Sequence, residues 1–289
     1  MNNQTLLSLA LCVCLFVTFN YPAEGQQYAI LGDAGEWNTQ TQSVRDSIQS
    51  SSIDRLVLLG DNYRVPFGTY EEVWAGWKGF QFPVVAIGNH TLSYSAEMKF
   101  FKMPGEYYSF KDGEVLFLVL NSDNASTAVI QAEWFDDELS HATERFIFVV
   151  FHHPPYTIHH SWTEKRAFHE RIRPIIKRHR SKITALLAGH DHIASLTMLD
   201  DFPMFISGAV FEALPALPKD YIADDGTHVQ SLWRYSQVPH WLRLDIKEKA
   251  DTAWFNFVQA NPGTVVCTVS VRAKKVLLKD NCYQPGPLS

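Results

Sequence analysis

Cysteine is scarce in this sequence: there are four, and two of them, Cys12 and Cys14, fall in an apolar leader. A core built on disulfides is thereby excluded. Cys267 and Cys282 can do no more than pin a C-terminal loop, either as one disulfide in an exported protein or as two buried thiols. Basic residues are also in short supply. Lys and Arg number 25 against 31 Asp and Glu, a net charge of −6, which gives no broad basic surface for nucleic acid. Internal repeats, low-complexity tracts and a clear linker are all missing, so residues 26–289 read as a single domain.

No charged side chain occurs before Glu24. Residues 6–19 are apolar apart from Ser8 and Thr18, and Ala23-Glu24-Gly25 has the small-x-small form that suits cleavage before Gln26. A signal peptide over residues 1–25 is expected, delivering the remainder as a secreted, periplasmic or otherwise extracytoplasmic protein. An uncleaved anchor is the alternative, and a membrane is a partner only in that case.

What is present is apolar sequence in short, evenly spaced runs. Residues 28–31, 53–59 and 82–87 are strand-like, with helix candidates at 39–52 and 71–77 between them. The runs are too apolar to be half exposed, so they predict parallel strands covered on both faces. A hairpin is expected around Asp112-Gly113, then a helix over 128–139 and a strand over 146–151. Residues 165–180 form a basic amphipathic helix candidate that Pro174 is expected to kink or divide. Strands follow at 183–188, 195–198 and 204–206. Residues 212–240, punctuated by Pro215, Pro218 and Pro239, read as a long irregular excursion. The tail returns to strands at 241–246, 253–258 and 264–271.

Five of these runs end in residues that bind metals: Gly32-Asp33, Gly60-Asp61-Asn62, Gly88-Asn89-His90, His152-His153-Pro154 and Gly189-His190-Asp191-His192. Taken singly, each is an ordinary turn or helix cap. Their recurrence at successive strand ends points to one site, because ligands gather at the carboxyl ends of strands in open α/β sheets. Mixed carboxylate, amide and imidazole donors suit Fe, Mn or Zn. Two such ions about 3.5–4 Å apart make the clamp used to hydrolyse phosphate esters, with a metal-activated water as nucleophile. A histidine outside the ligand set can protonate the leaving group.

In this order the motifs Gly-Asp-x-Gly, Gly-Asp-Asn, Gly-Asn-His, His-His-Pro-Pro and Gly-His-x-His resemble those of the calcineurin-like metallophosphoesterase superfamily. The opening pair, Gly32-Asp33-Ala34-Gly35 and Gly60-Asp61-Asn62-Tyr63, is most similar to the purple acid phosphatase branch. The resemblance implies an α/β fold, a four-layer α-β-β-α sandwich of two mixed sheets. It implies a first metal on Asp33, Asp61 and His192, and a second on Asp61, Asn89, His152 and His190, with His153 as the alternative to His152. Catalytic His90 would be the general acid. The implied activity is hydrolysis of phosphate monoesters by an exported monomer, the substrate being a small phosphorylated molecule. The alternatives are a phosphodiesterase of the same fold, or a secreted protein that binds a phosphorylated ligand with impaired catalysis.

Three positions depart from the family pattern. Gly35 stands where most members have a histidine, Arg64 where the purple branch has a tyrosine, and Thr91 where an aspartate usually orients the general acid. Tyr63, one residue early, is a candidate for the site, and Arg64 is either a phosphate-binding guanidinium or a solvated one. Tyr156, His159 and His160 are further candidates for the pocket wall, and Asn121-Ser122-Asp123, at a strand end, is expected to support the site rather than enter it.

Overall fold

A computed structural model describes residues 25–64, 68–157, 166–210, 220–235, 238–247, 249–273 and 275–282. The expected signal peptide, apart from Gly25, lies outside the described residues, as do His159 and His160.

The chain opens with β1 (Gln26–Leu31), α1 (Thr39–Ser50), β2 (Arg55–Leu58), α2 (Tyr70–Val73), β3 (Gln81–Val85) and α3 (Tyr94–Phe101). The hairpin β4 (Tyr108–Asp112) and β5 (Val115–Val119) follows, then α4 (Ala128–His141), β6 (Phe146–Phe151), α5 (Arg166–His179) and β7 (Ala185–Ala188). Among the described residues the remaining elements are strands: β8 (Ala194–Leu199), β9 (Phe202–Ser207), β10 (Tyr221–Ile222), β11 (His228–Tyr235), β12 (His240–Ile246), β13 (Thr252–Gln259), β14 (Thr264–Arg272) and β15 (Lys275–Leu278). Polar caps start the early helices. Asn38 accepts from the amides of Gln40 and Thr41, Thr69 and Glu72 form a capping box, and Ser93 accepts from the Ala96 amide.

Among the described residues these strands form two mixed sheets. One runs β15-β14-β13-β12-β1-β2-β3 and the other β10-β11-β8-β9-β7-β6-β5-β4. Alternation along the strands divides the core into three layers. Tyr28 and Ile30 of β1 face inward with Phe148 and Val150 of β6, filling the space between the sheets. Their neighbours turn outward. Ala29 and Leu31 meet Val44 and Ile48 of α1, while Ile147 and Val149 meet Phe135 of α4 and Phe168 and Ile172 of α5. The architecture is therefore the expected α-β-β-α sandwich of the calcineurin-like kind. Cys267 and Cys282 are joined by a disulfide that ties the chain after β15 to β14.

Several elements differ from the sequence reading. The helix expected over 71–77 is α2 followed by a separate 3-10 turn, Ala75–Trp77. Helix α5 continues through Pro174 undivided. Helix α3 and strand β15 have no counterpart in it, and the supposed excursion over 212–240 contains β10 and β11. Strand β11 hides its alternation. A bulge between Ser231 and Trp233 puts Val229 and Trp233 on opposite faces of the sheet although they are four residues apart.

Candidate metal centre

Strands β1, β2 and β3 are parallel in one sheet, and β6 and β7 are parallel in the other. Their carboxyl ends meet. The Gly32 amide donates to the Ser207 carbonyl at 2.7 Å across the two sheets, and the Gly189 amide donates to the His152 carbonyl at 3.1 Å. All five motifs are thus brought to one rim. Asp33, Asp61 and His190 each have left-handed backbone, with φ of 59°, 52° and 65°. Such a conformation costs a non-glycine residue roughly 1–3 kcal/mol. Here it turns each chain sharply off its strand and aims the side chain at the rim. Gly60 (φ 94°) is needed for a second reason. A Cβ there would lie 2.5 Å from His152 Nδ1, so only glycine lets the bridging loop pass over that ring.

The donor atoms converge on His152. Its Nδ1–H donates to the Leu59 carbonyl at 2.8 Å, leaving Nε2 to face the site. Around Nε2, each at 3.2 Å, stand Asn89 Oδ1, Asp61 Oδ1 and His190 Nδ1. Asp33 lies beside them. Its Oδ1 is 3.3 Å from His192 Nε2, and its Oδ2 accepts the His190 amide at 3.0 Å. Two overlapping groups have the spacing to hold a metal ion, Asp33–Asp61–His152 and His152–His153–His190. Asp33, Asp61, His152, His153 and His192 are buried, whereas Asn89 is exposed and the His90 side chain is 41% exposed. The floor is anionic and buried, and the lip is open.

The charge balance of the floor favours a cation. Burial works against a charge on His152, yet the Asp61 and Asp33 carboxylates outweigh it and hold the imidazole protonated above its usual range. Burial would likewise raise Asp61, but the His152 charge, its hydrogen bond and the His90 amide hold that carboxyl below its usual range. Two buried carboxylates that keep a proton on a fully buried imidazole offer the same field to a metal, and with the oxygen and imidazole donors around them they fit a pair of transition ions.

Other sequence candidates lie elsewhere or do other work. Tyr63 is buried against Tyr70, and its hydroxyl donates to the Gly68 carbonyl at 2.5 Å. Gly35 packs so tightly on the Asp61–Tyr63 backbone that a Cβ would collide with it, so no histidine fits there without the loop shifting. Arg64 is half-buried. Tyr156 is buried, with its hydroxyl donating to Asp225 Oδ2 at 2.6 Å. His153 sits beside His190, ring centroids 4.4 Å apart, and its Nδ1 lies 2.9 Å from Ser122 Oγ. Of the supports, Ser122 lies in the strand end expected to back the site, whereas the Leu59 carbonyl, Thr157 donating to Asp191 at 2.7 Å, and Glu97 were missed. None has a motif, and only the buried carboxylates carry any signal, as acidic residues within apolar surroundings.

No protein-family model and no curated protein sequence matches the chain. Solved structures do. GAP50, the anchor in the inner membrane complex of Plasmodium, superposes with a TM-score of 0.67 at 16% identity over 86% of this chain and 89% of that one. PhoD gives 0.58 at 13% identity, over 92% and 74%. A dimetal phosphatase from Danio rerio gives 0.52 at 12% identity, over 89% and 98%. At these identities the likeness is one of fold, and the fold is that of the calcineurin-like metallophosphoesterases.

Proposed function

We propose that the chain is an exported, binuclear metal-dependent hydrolase of phosphate monoesters, akin to the acid phosphatases. The observation that carries this reading is the convergence of Asp61, Asn89 and His190 on His152 Nε2, with Asp33 and His192 alongside. Asp33, Asp61 and His192 would hold one ion, and Asp61, Asn89, His152 and His190 the other. Bound there, Fe, Mn or Zn would supply Lewis-acid polarisation of the phosphoryl oxygens and a water nucleophile active near neutrality.

The chain's own groups do the rest. His90 stands at the lip, its amide bonded to Asp61 Oδ1 at 2.8 Å and its Nε2 4.0 Å from Asp61 Oδ2. From there it protonates the departing alkoxide of a small phosphorylated substrate. In this reading Arg64 and His153 would donate to phosphate oxygens. A leader over residues 1–25 exports the protein, so its mature form begins at Gln26. The reading is tested with p-nitrophenyl phosphate and its bis ester. Hydrolysis of the monoester by metal-loaded protein, abolished by Asp61→Ala, is expected, and full activity in that variant contradicts it.

A second reading has its own observation. Gly35 admits no side chain and the Tyr63 hydroxyl is engaged by Gly68, which leaves the first ion three side-chain ligands. A phospho-ligand-binding protein with little turnover follows from that. Tight binding of a single ion, with phosphate retained and no ester cleaved, would favour it.

A further inference from the structure

Glu97 is a fully buried carboxylate on α3, inside a cluster of rings that includes Tyr70, Phe100 and Phe101. Its partners are neutral donors. Asn62 Nδ2 donates to Oε1 at 2.7 Å and the Tyr70 hydroxyl donates to Oε2 at 3.0 Å. Tyr70 and Thr91 meet each other at 2.8 Å. Burying a carboxylate without a cation is costly, and a simple apolar contact would hold α3 in place at less cost. The geometry shows what this one reaches. Asn62 follows Asp61, and Thr91 follows His90. A single side chain thus grips the residue after the shared carboxylate directly and the residue after the acid through Tyr70.

We propose that Glu97 is the positioning residue for His90: through Asn62, and through Tyr70 to Thr91, it locks the loop after β2 to the loop after β3 and so fixes the imidazole over Asp61. Both loops need such a hold. Asp61 has left-handed backbone, and His90 is half-exposed with its amide on the Asp61 carboxylate as a fixed point. Asn62 extends the lock by donating to the Ala86 carbonyl at 2.8 Å and accepting from Trp74 Nε1 at 2.8 Å. Thr91, with a short neutral side chain, cannot itself present a charge to the loop. Helix α3 supplies the carboxylate from six residues further along the chain. The inference rests on the reading of His90 as general acid, and it is separable from it by experiment.

The first measurement needs no activity: hydrogen exchange of the His90 amide in metal-free protein. In Glu97→Ala that amide should exchange about tenfold or more faster, while the amides of β6 and β13 keep their wild-type rates. The second compares esters. Glu97→Ala should lower kcat about tenfold or more on phenyl phosphate, whose leaving group needs a proton, and far less on 2,4-dinitrophenyl phosphate, with KM little changed. His90→Ala should show the same dependence, and the double variant should be no worse than His90→Ala alone. Glu97→Gln, which keeps an acceptor for Asn62, should recover most of the loss. If Glu97→Ala does not fold, Thr91→Ala at the half-exposed end of the lock must show the same His90 exchange and ester dependence. Unchanged His90 exchange, or an equal loss on both esters, overturns the proposal. Should the wild type cleave neither ester, the functional reading fails, and the exchange rate alone still decides whether Glu97 holds His90.

Discussion

His152 binds the Leu59 carbonyl through Nδ1 and faces Asp61, Asn89 and His190 through Nε2, yet it carries a proton because Asp61 and Asp33 stabilise the charge. A metal must displace that proton. Below the raised pKa of His152, binding should therefore release a proton, and apparent affinity should climb as pH rises from about 6 to about 8. Titration calorimetry with Zn²⁺ in two buffers of different ionisation enthalpy measures the release directly. An affinity independent of pH would place the metal away from His152. The converging residues were legible in the sequence because each of their motifs follows a strand, four of the five beginning with a glycine. Of their supports, only Ser122, in a run that ends a strand, was. Glu97 meets the site only through the third dimension, and nothing in the local sequence of α3 says that its carboxylate points inward.

At the level of elements, the strand ends that carry the site are also the best-read part of the chain. Runs such as Phe146–Phe151 are buried on both faces, so uninterrupted apolar sequence and parallel pairing coincide. Where a bulge or a short element intervenes, as in β11 and α3, periodicity fails as a guide. The turn after β2 shows how narrowly the site is built. Gly60→Ala adds a methyl against the His152 ring in a backbone conformation that alanine resists. The expected cost is about 1–3 kcal/mol in chemical denaturation, together with weakened metal binding. A neutral Gly60→Ala would mean that the loop and the imidazole have room that their spacing denies.

Across the whole molecule, the buried titratable groups set a pH profile for the metal-free chain. Burial pushes Glu97 and Asp191 up to about 7, and the site carboxylates hold His152 above its ordinary 6.5. Each of these groups holds its proton more tightly when folded, so the stability they add is complete at low pH and is lost as pH rises through their folded pKa values. His169 and His240 act in the opposite sense. Burial pushes them down to about 3 and about 4, so their contribution is present above 6.5 and is lost as pH falls. These two pairs oppose each other between about pH 4.5 and 6.5, and above 6.5 the loss at His152 is unopposed, so the metal-free chain should have its stability maximum over about pH 4.5–6.5, as thermal melts across pH would record. Saturating Zn²⁺ should move that maximum upward by taking the place of the His152 proton. A maximum that stays put with metal would show that the buried cluster and the metal do not share a site.

Counting metal ions on the stripped and reloaded protein tests most directly whether these five strand ends form one two-ion centre. With Mn²⁺ or Zn²⁺ in excess, the wild type should retain about two ions per chain and cleave p-nitrophenyl phosphate, as expected of a two-metal clamp. Asp61→Ala, which removes the carboxylate between the two groups, should retain about one or none and cleave nothing. Equal metal content and equal hydrolysis in the two proteins would contradict it.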